Sequence, residues 1–314
     1  MSRMQHQDQH DDSLDAQRRI GVEVEFGGLS EERAAELILE RCGGTVSGRT
    51  DHVIELATDQ LGKITVELDT VWKHEIAAAG DAAGAIARTL VPVELITAPL
   101  TEPQIAVLDE VLDTLAQHGA AGSRDSLLAA YGVHFNPQTA FDASVVRVAR
   151  AYAALEPWLR AASHLDATRR VLPFINPWPG TLVQALLAPD AGDLTPDDLL
   201  TLYLSHTTSR NHGLDLLPLL RHHDADAVTA ALGTSEGSAR PTYHFRLPEC
   251  RLSEPDWSLG AEWAKWQLVD AVAEDPDLLA RLTKAVRDEP DPVRAAEDMI
   301  APLLHRKAFA CLAR

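Results

Sequence analysis

Alternating charged and apolar side chains in residues 19–26 place the strongest constraint on the fold of this chain. The segment reads Arg-Ile-Gly-Val-Glu-Val-Glu-Phe, so that Glu23 and Glu25 alternate with apolar residues. Successive side chains of a β-strand point to opposite faces, so the apolar groups can enter a core while both carboxylates emerge on the other face. The two carboxylates would lie about 6–7 Å apart along the strand. This separation suits two neighbouring hard cations such as Mg²⁺ bridged by phosphate oxygens, although a solvent-facing amphipathic strand explains the pattern equally well.

Composition limits the classes of function. The 314 residues are 46% hydrophobic and 24% charged, which predicts one large globular domain or two closely packed ones. The formal net charge of −19 argues against a general nucleic-acid or anionic-membrane surface, because both need clustered Lys and Arg. The three cysteines are odd in number and widely scattered, so neither a disulfide framework nor a zinc-binding spacing is indicated. A cytoplasmic location is predicted.

The ends of the chain differ from its centre. Residues 1–18 are polar and are expected to form a disordered lead without the apolar stretch of a signal peptide. No run of about 18 uninterrupted apolar residues is present, so no membrane span is expected. Residues 256–314 are predicted to form C-terminal helices, at about 258–283 and 291–310, that pack on the same domain as the preceding residues.

Strands and helices alternate through the centre of the chain. Ser30 is predicted to cap a helix that Gly43 and Gly44 end. The further expected helices cover 81–90 and 102–118, and a mainly helical insertion covers about 143–235. The expected strands cover residues 53–58, 63–69, 91–97, 131–136 and 242–247. The fold class is therefore predicted to be α+β, with a curved antiparallel sheet backed by helices.

Most of these strands carry polar side chains on one face. Those side chains are Glu23 and Glu25, Glu67 and Asp69, Glu94, His134 and Asn136, Arg246, and Glu249 with Arg251. The default residues on an exposed sheet face are Thr, Ser, Lys and mixed charges, so a face rich in carboxylates with His and Arg suggests a funnel for divalent cations and a nucleoside triphosphate. His244 and Arg246 have the opposite sequence parity to Glu249 and Arg251. A bulge at Pro248 is therefore needed if all four are to reach one site.

Four short motifs in a fixed order carry a resemblance to a known family. They are Gly21-x-Glu23-x-Glu25, Glu94-Leu95-Ile96-Thr97-x-Pro99, Gly132-x-His134-x-Asn136 and Glu249-x-Arg251. Together they resemble the carboxylate–amine ligases of the glutamine synthetase fold. They are similar in particular to the glutamate–cysteine ligases and, more closely, to the putative amidoligase family. The resemblance covers about residues 19–255 and implies a glutamine synthetase-like catalytic domain there, built on a half-funnel sheet.

The resemblance implies an ATP-dependent ligase. In such an enzyme a substrate carboxylate attacks the γ-phosphate of ATP, and an amine then displaces phosphate from the acyl phosphate. Mg²⁺, or Mn²⁺ in its place, would be held by Glu23, Glu25, Glu94, His134 and Glu249. His134 would also touch the nucleotide phosphates, with Asn136 beside it. Arg251 would stabilise the transferring phosphoryl group. Arg246 would bind a carboxylate or phosphate, Asp69 would bind the substrate amine or the ribose, and Arg210 would contact the substrate.

Some alternatives remain open at this level. His244 with Arg246 competes with Glu249 and Arg251 for the last-strand site, and the need for a carboxylate near Mg²⁺ favours the second pair. A phosphagen-type kinase and a non-catalytic nucleotide-binding relative are the competing functions. The predicted substrates are amino acids, polyamines or short peptides. The resemblance also implies a glutamine amidotransferase-like partner enzyme, because members of the family are paired genetically with one. The protein could also form an oligomer. Cys250 is expected to be buried, and Trp178 to contact substrate at the rim.

Overall fold

The structure is a computed structural model that describes residues 18–68, 92–125, 131–163 and 175–312. The predicted helix at 81–90 and the candidate residue Asp69 lie outside these ranges. Within them, eight strands form a single antiparallel sheet in the order β2-β3-β4-β5-β1-β6-β8-β7. Their bounds are Ile20–Phe26 (β1), Thr45–Thr50 (β2), Val53–Thr58 (β3), Gly62–Leu68 (β4), Val93–Thr97 (β5), Val133–Pro137 (β6), Leu214–Asp215 (β7) and His244–Phe245 (β8).

Strand β1 lies in the interior of the sheet, between β5 and β6, and its two faces differ as the alternation predicts. Val22, Val24 and Phe26 are fully buried, whereas Glu23 and Glu25 are partly exposed on the opposite face. The same alternation continues on β4 and β5, where the apolar positions are buried and the intervening ones are not. The sheet therefore has one apolar face and one polar face in its central strands.

Helices back the apolar face of the sheet. Trp263 packs on Phe135 of β6 and Trp266 on Phe245 of β8, with ring centroids 5.3 and 5.6 Å apart. The described α-helices are Glu31–Cys42 (α1), Glu102–Gln117 (α2), Ala143–Ala162 (α3), Gly180–Leu186 (α4), Pro196–His206 (α5), Leu217–His223 (α6), Ala225–Leu232 (α7), Leu259–Ala273 (α8), Pro276–Asp288 (α9) and Pro292–Leu304 (α10). None of them is long and apolar enough to span a membrane.

Helix α1 shows how local chemistry sets the boundaries of an element. The Ser30 hydroxyl accepts a hydrogen bond from the backbone N–H of Arg33, and the C-terminal cap is Gly43, whose φ of +70° is readily available to glycine. The predicted start and end of this helix are both confirmed. The predicted hairpin that follows is confirmed as β3 and β4.

The structure differs from the sequence prediction in four places. Strand β2 was not predicted, and the last strand is only His244–Phe245 rather than residues 242–247. The mainly helical stretch at 143–235 also contributes the short strand β7. The single helix predicted at 258–283 is wrong: α8 ends at Ala273 and α9 begins at Pro276. The Asp275 carboxylate caps α9 at Leu278, and Pro276 has no N–H to continue the preceding helix.

Candidate functional site

A row of carboxylates crosses the polar face of the sheet. Glu67 pairs with Glu94, and Glu94 pairs with Glu25, so the three side chains project side by side from β4, β5 and β1. On the next strand the row meets Gly132, which forms a β-bridge with Glu249. We call Glu67, Glu94, Glu25 and Glu249 the acidic row. Gly132 adds no side chain between Glu25 and Glu249, and its N–H donates to Glu25 Oε2 at 2.7 Å.

The bulge predicted near Pro248 is present. Phe135 pairs with Phe245, whereas Gly132 bridges to Glu249, so the register between the two segments shifts by one residue. One extra residue between Phe245 and Glu249 reverses the sequence parity. His244 and Glu249 therefore both reach the polar face although their sequence positions have opposite parity.

A chain of hydrogen bonds runs beside the acidic row. Glu23 Oε2 lies 3.0 Å from His134 Nδ1, and Glu23 Oε1 accepts a hydrogen bond from Asn136 Nδ2 at 3.0 Å. Asn136 Oδ1 in turn lies 2.7 Å from His244 Nδ1. Since the Asn136 amide nitrogen donates to Glu23, its oxygen must accept, and His244 Nδ1 carries the proton. The chain fixes three neighbouring strands to one another and orients both imidazoles.

The charge states of Glu23 and His244 follow from the groups that they contact. Burial by itself raises the pKa of Glu23, but the hydrogen bond and charge of His134, together with Arg240, outweigh burial and hold the pKa well below its usual range. Burial also lowers the pKa of His244 well below its usual value, and His134 lowers it further. Glu23 is therefore an anion and His244 a neutral imidazole at physiological pH.

Among the residues that the structure describes, two groups of side chains have the spacing of a cation site, and His134 belongs to both. In one group the ligand atoms of Glu25, Glu94 and His134 all lie within 4.8 Å of one another. In the other, Glu23 and His244 join His134 within the same distance. Two carboxylates with one imidazole suit a hard divalent cation better than one carboxylate with two imidazoles. The residues present therefore fit Mg²⁺ or Mn²⁺ best at Glu25, Glu94 and His134.

Arginines lie on the other side of the hydrogen-bonded chain. Asp215 of β7 pairs with His244 and is fully buried. Burial raises the pKa of Asp215 to about 6, while the nearby positive charges of Arg246, Arg210 and Arg240 lower it. Arg246 Nη1 donates to the backbone oxygen of Arg210 at 2.8 Å. The positive charges of these three arginines, which we call the arginine group, therefore all act on a single buried carboxyl group.

Arg240, a member of the arginine group, also lies close to Glu23 of the hydrogen-bonded chain. Its Nη1 lies 3.6 Å from Glu23 Oε1. It also lines a cavity of about 290 Å³. The other residues that line this cavity are Arg19, Gly21, Val22, Glu23, Ile96, Thr97, Pro99, Asn136, Gln138, Pro241 and Thr242. The cavity thus opens directly beside Glu23.

Arg251 takes part in a separate ion-pair group. Its Nη1 lies 3.4 Å from Glu254 Oε2, and Arg124 Nη1 lies 3.2 Å from the same oxygen. Gly122 packs on the backbone here, since a Cβ on it would lie 2.9 Å from the Arg251 Cα. Arg251 is therefore held firmly two residues beyond Glu249.

The structure brings most of the candidate residues together. Glu23, Glu25, Glu94, His134 and Asn136 form one contiguous group, with Glu249 in the acidic row and Arg246 beside Arg210. Sequence reasoning missed Arg240, which stands in a loop before β8 where no periodicity indicates it. It also ranked His244 below Glu249, although the alternation of His244 with Arg246 was a usable signal.

Two predictions about single residues have clear outcomes. Trp178 does not contact a rim: it is buried, and its Nε1 donates to the backbone oxygen of Leu214 at 2.7 Å. That prediction is wrong, because the ring packs in the helical layer, against Tyr152 and Tyr203. Cys250 is fully buried, as predicted.

Comparison with known proteins identifies a family for the chain. No curated protein sequence matches the chain at a significant level. The model of a family described as "putative amidoligase enzyme" matches residues 16–268, which include every described strand and all the candidate residues. The chain therefore belongs to the putative amidoligase family, whose description indicates an amide-forming ligase.

Proposed function

We propose that the protein is an ATP- and Mg²⁺-dependent carboxylate–amine ligase that works through an acyl phosphate on an amino acid or short peptide. The observation that carries the proposal is the convergence of Glu25, Glu94 and His134 within 4.8 Å, on the face that also holds Arg240 and Arg246. Cation ligands beside arginines are what phosphoryl transfer needs, because its demands are mainly positioning and charge neutralisation. A glutamine synthetase-like half-funnel and a cytoplasmic location are part of this proposal.

The acidic row has the ligands for the cation. Glu25 and Glu94 offer hard oxygens from adjacent strands, and Glu249 offers another beyond Gly132. A bound Mg²⁺ would neutralise phosphate charge and hold the triphosphate in place. Since the side chains extend from paired strands of the sheet, the protein holds them in position before any ligand arrives.

Glu23 sets the orientation of His134. The ionised Glu23 carboxylate can only accept, so His134 Nδ1 carries the shared proton. His134 Nε2 then faces Glu25, at 3.9 Å. A ligating imidazole must be neutral, so a cation bound at Nε2 would take the place of a proton there. A carboxylate behind a ligating imidazole is a common way to fix the tautomer and ring orientation. Glu23 is also a candidate ligand itself, in the group with His134 and His244.

The basic side chains have the complementary role. Arg246 has a planar fork that suits two oxygens of a phosphate or carboxylate, and Arg251 is held near Glu249. We propose that these two residues stabilise the negative charge that develops on the transferring phosphoryl group. Asn136, Arg210 and Asp69 remain candidates for contacts with nucleotide or substrate.

A phosphagen-type kinase is the second candidate function. It is favoured by the arginine group near Asp215, because such a kinase needs several arginines to bind the phosphates of its nucleotide. The two functions differ in their products. The ligase consumes a carboxylate and an amine and releases inorganic phosphate with the amide, whereas the kinase leaves the phosphoryl group on its acceptor.

The test is phosphate release from Mg·ATP by the purified protein, with pools of amino acids, polyamines and short peptides as substrates. Release that requires both an acid and an amine is expected. Glu25→Gln should lower it by about 10²-fold or more while keeping the acceptor for Gly132 N–H. Glu55→Gln is the matched control. Glu55 lies in β3, three strands from β1, and pairs with Lys63 at 2.7 Å. Equal activity of wild type and Glu25→Gln would remove the acidic row from the mechanism.

Metal binding offers a test that does not depend on the substrate. Titration of the protein with Mn²⁺, followed by electron paramagnetic resonance, should show a bound cation in the wild type and in Glu55→Gln. The Glu25→Gln and Glu94→Gln variants should each lose it. Unaltered Mn²⁺ affinity in both variants would contradict the assigned ligands even if ATP turnover were detected.

A further inference from the structure

The proposed phosphoryl transfer assigns no occupant to the cavity beside Glu23. We infer that it binds the carboxylate end of a small organic acid of amino-acid size, through Arg240 and Arg19. The inference deepens the proposed function, since that acid would be the substrate of the ligase. Binding itself does not depend on turnover, so the two can fail separately.

The charges that line the cavity are unusual for this chain. Two guanidinium groups, Arg19 and Arg240, stand against one carboxylate, Glu23, in a protein whose formal net charge is −19. A cation bound near Glu23 would make the cavity still more positive. A carboxylate is therefore attracted here, whereas a polyamine is repelled.

Polar groups on one wall of the cavity are incompletely satisfied. The 3.6 Å separation between Arg240 Nη1 and Glu23 Oε1 is that of an ion pair without a direct hydrogen bond. Within the described parts of the chain, Arg240 Nε and Thr242 Oγ1 are buried without a hydrogen-bond partner. Buried polar groups in native proteins normally have partners, and an anionic ligand would supply acceptors for Arg240 and for the Thr242 hydroxyl after a small rotation of Arg240.

The apolar residues that line the cavity favour an organic anion over inorganic phosphate. Ile96, Pro99 and Pro241 form an apolar wall, which an organic acid can cover and inorganic phosphate cannot. The volume of about 290 Å³ is near the lower limit for pockets that hold drug-sized ligands, about 300 Å³. A molecule with the size of an amino acid fits these limits better than a nucleoside triphosphate.

Gly21 keeps the cavity open. It lies inside β1 and does not have a positive φ, so backbone strain does not require glycine there. A Cβ at this position would lie 3.4 Å from the Asn136 Cβ, which is ordinary contact, and a longer side chain would extend into the cavity. Glycine in a strand interior often marks a place where a ligand approaches closely.

The experiment measures direct binding by calorimetry with matched probes. The probes are L-leucine, its deaminated acid 4-methylpentanoate, its decarboxylated amine isoamylamine, spermidine and inorganic phosphate. Both carboxylates should bind, and neither amine should. Binding of the amines as tight as that of the acids, or no binding of either carboxylate, would overturn the inference. Tighter binding of inorganic phosphate than of the acids would reassign the cavity to a phosphoryl group and also overturn it.

Variants locate the bound carboxylate. Arg240→Gln should weaken binding of 4-methylpentanoate by about 10-fold or more, as expected for loss of a charge-assisted hydrogen bond. Arg294→Gln, at an exposed position on α10, should have no effect. Gly21→Leu should abolish binding while Gly21→Ala retains it, with circular dichroism confirming that both are folded. If Gly21→Leu does not fold, the Arg240→Gln result decides. Unchanged affinity in Arg240→Gln would refute the inference.

The outcome separates the two proposals. Carboxylate binding that depends on Arg240, without any ATP turnover, would support the cavity and contradict the ligase. Substrate-dependent phosphate release with no effect of Arg240→Gln on the KM for the acid would support the ligase and contradict the cavity.

Discussion

Two parts of the molecule each bury a carboxylate, and the two carboxylates have opposite pKa shifts. Glu23 lies on the polar face of the sheet, and Glu156 lies in the helical layer on α3. Burial acts in the same direction on both, since it raises the pKa of a carboxyl group. Yet the pKa of Glu23 is held well below its usual range, whereas burial raises the pKa of Glu156 to about 7.

The neighbours of the two side chains explain the difference. Glu23 accepts hydrogen bonds from His134 and Asn136 and faces Arg240. Glu156 lies among Tyr152, the backbone N–H of Trp178 and, at 3.9 Å, Arg160, which together do not offset its desolvation. Burial alone therefore does not fix the charge of a buried carboxyl group. The cationic and hydrogen-bonding groups aimed at it do.

The largest expected effect comes from a carboxylate placed where it has no partner at all. Val24 lies on β1 between Glu23 and Glu25 and is fully buried on the apolar face. Val24→Asp should reduce the free energy of unfolding by roughly 3–5 kcal/mol or prevent folding, because a buried charge without a partner is costly. Urea unfolding measures this, with Val24→Ala as the control for lost volume. A stable and active Val24→Asp protein would mean that the two faces of β1 are reversed.

The next effect is on turnover, with a loss of stability smaller than that of Val24→Asp. Glu23→Gln and Glu25→Gln should each lower kcat by about 10²-fold or more, since each removes a charge that neighbouring groups are arranged to hold. Thermal unfolding should change little compared with Val24→Asp. Steady-state phosphate release measures the loss, and Glu156→Gln should keep near wild-type turnover. A similar loss in Glu156→Gln would contradict the distinction between the two carboxylates.

Stability should depend on pH through Glu156. Its pKa is raised from 4.5 to about 7 in the folded protein, so the folded state binds the proton more tightly than the unfolded state. This contribution is fully present below pH 4.5 and is lost as pH rises to about 7. Glu156→Gln removes the dependence and should stabilise the protein at pH 8 by up to about 3 kcal/mol relative to wild type. The difference in free energy of unfolding between the two proteins, measured from pH 5 to 8, tests this. A difference that does not vary with pH would contradict a raised pKa.

A smaller effect is expected in the arginine group. Arg246→Gln should raise the KM for ATP or for the acid by about 10-fold, because a charge-assisted contact contributes about 1.5–3 kcal/mol. Arg246→Lys keeps the charge but loses the planar fork, and it should recover only part of this. If Arg246→Lys behaves as wild type, the fork is not used for an oxyanion. The kinetic constants of the two variants decide the matter.

Local patterns predicted much of the fold. The caps of α1, the β3–β4 hairpin and the two faces of β1 all depend on residues close together in the sequence, so propensity and periodicity reveal them. The break between α8 and α9 also depends on neighbouring residues, Asp275 and Pro276. It was not predicted, because the helical patterns of α8 and α9 follow each other directly and together resemble one long helix. Strand β2 was not predicted, because both of its faces are largely exposed and its sequence has no alternation of apolar residues.

The sequence by itself determined which side chains of β1 are polar and which enter the core, and the order of motifs that identifies the family. The tertiary structure decided which of the candidate residues meet. The pairing of β5, β1 and β6 brings Glu94, Glu25 and His134 together from positions up to 109 residues apart. Arg240 reaches Glu23 from a loop that no periodicity marks. The physical reason is that alternation is a property of neighbouring residues, whereas the register between strands depends on the packing of the whole core.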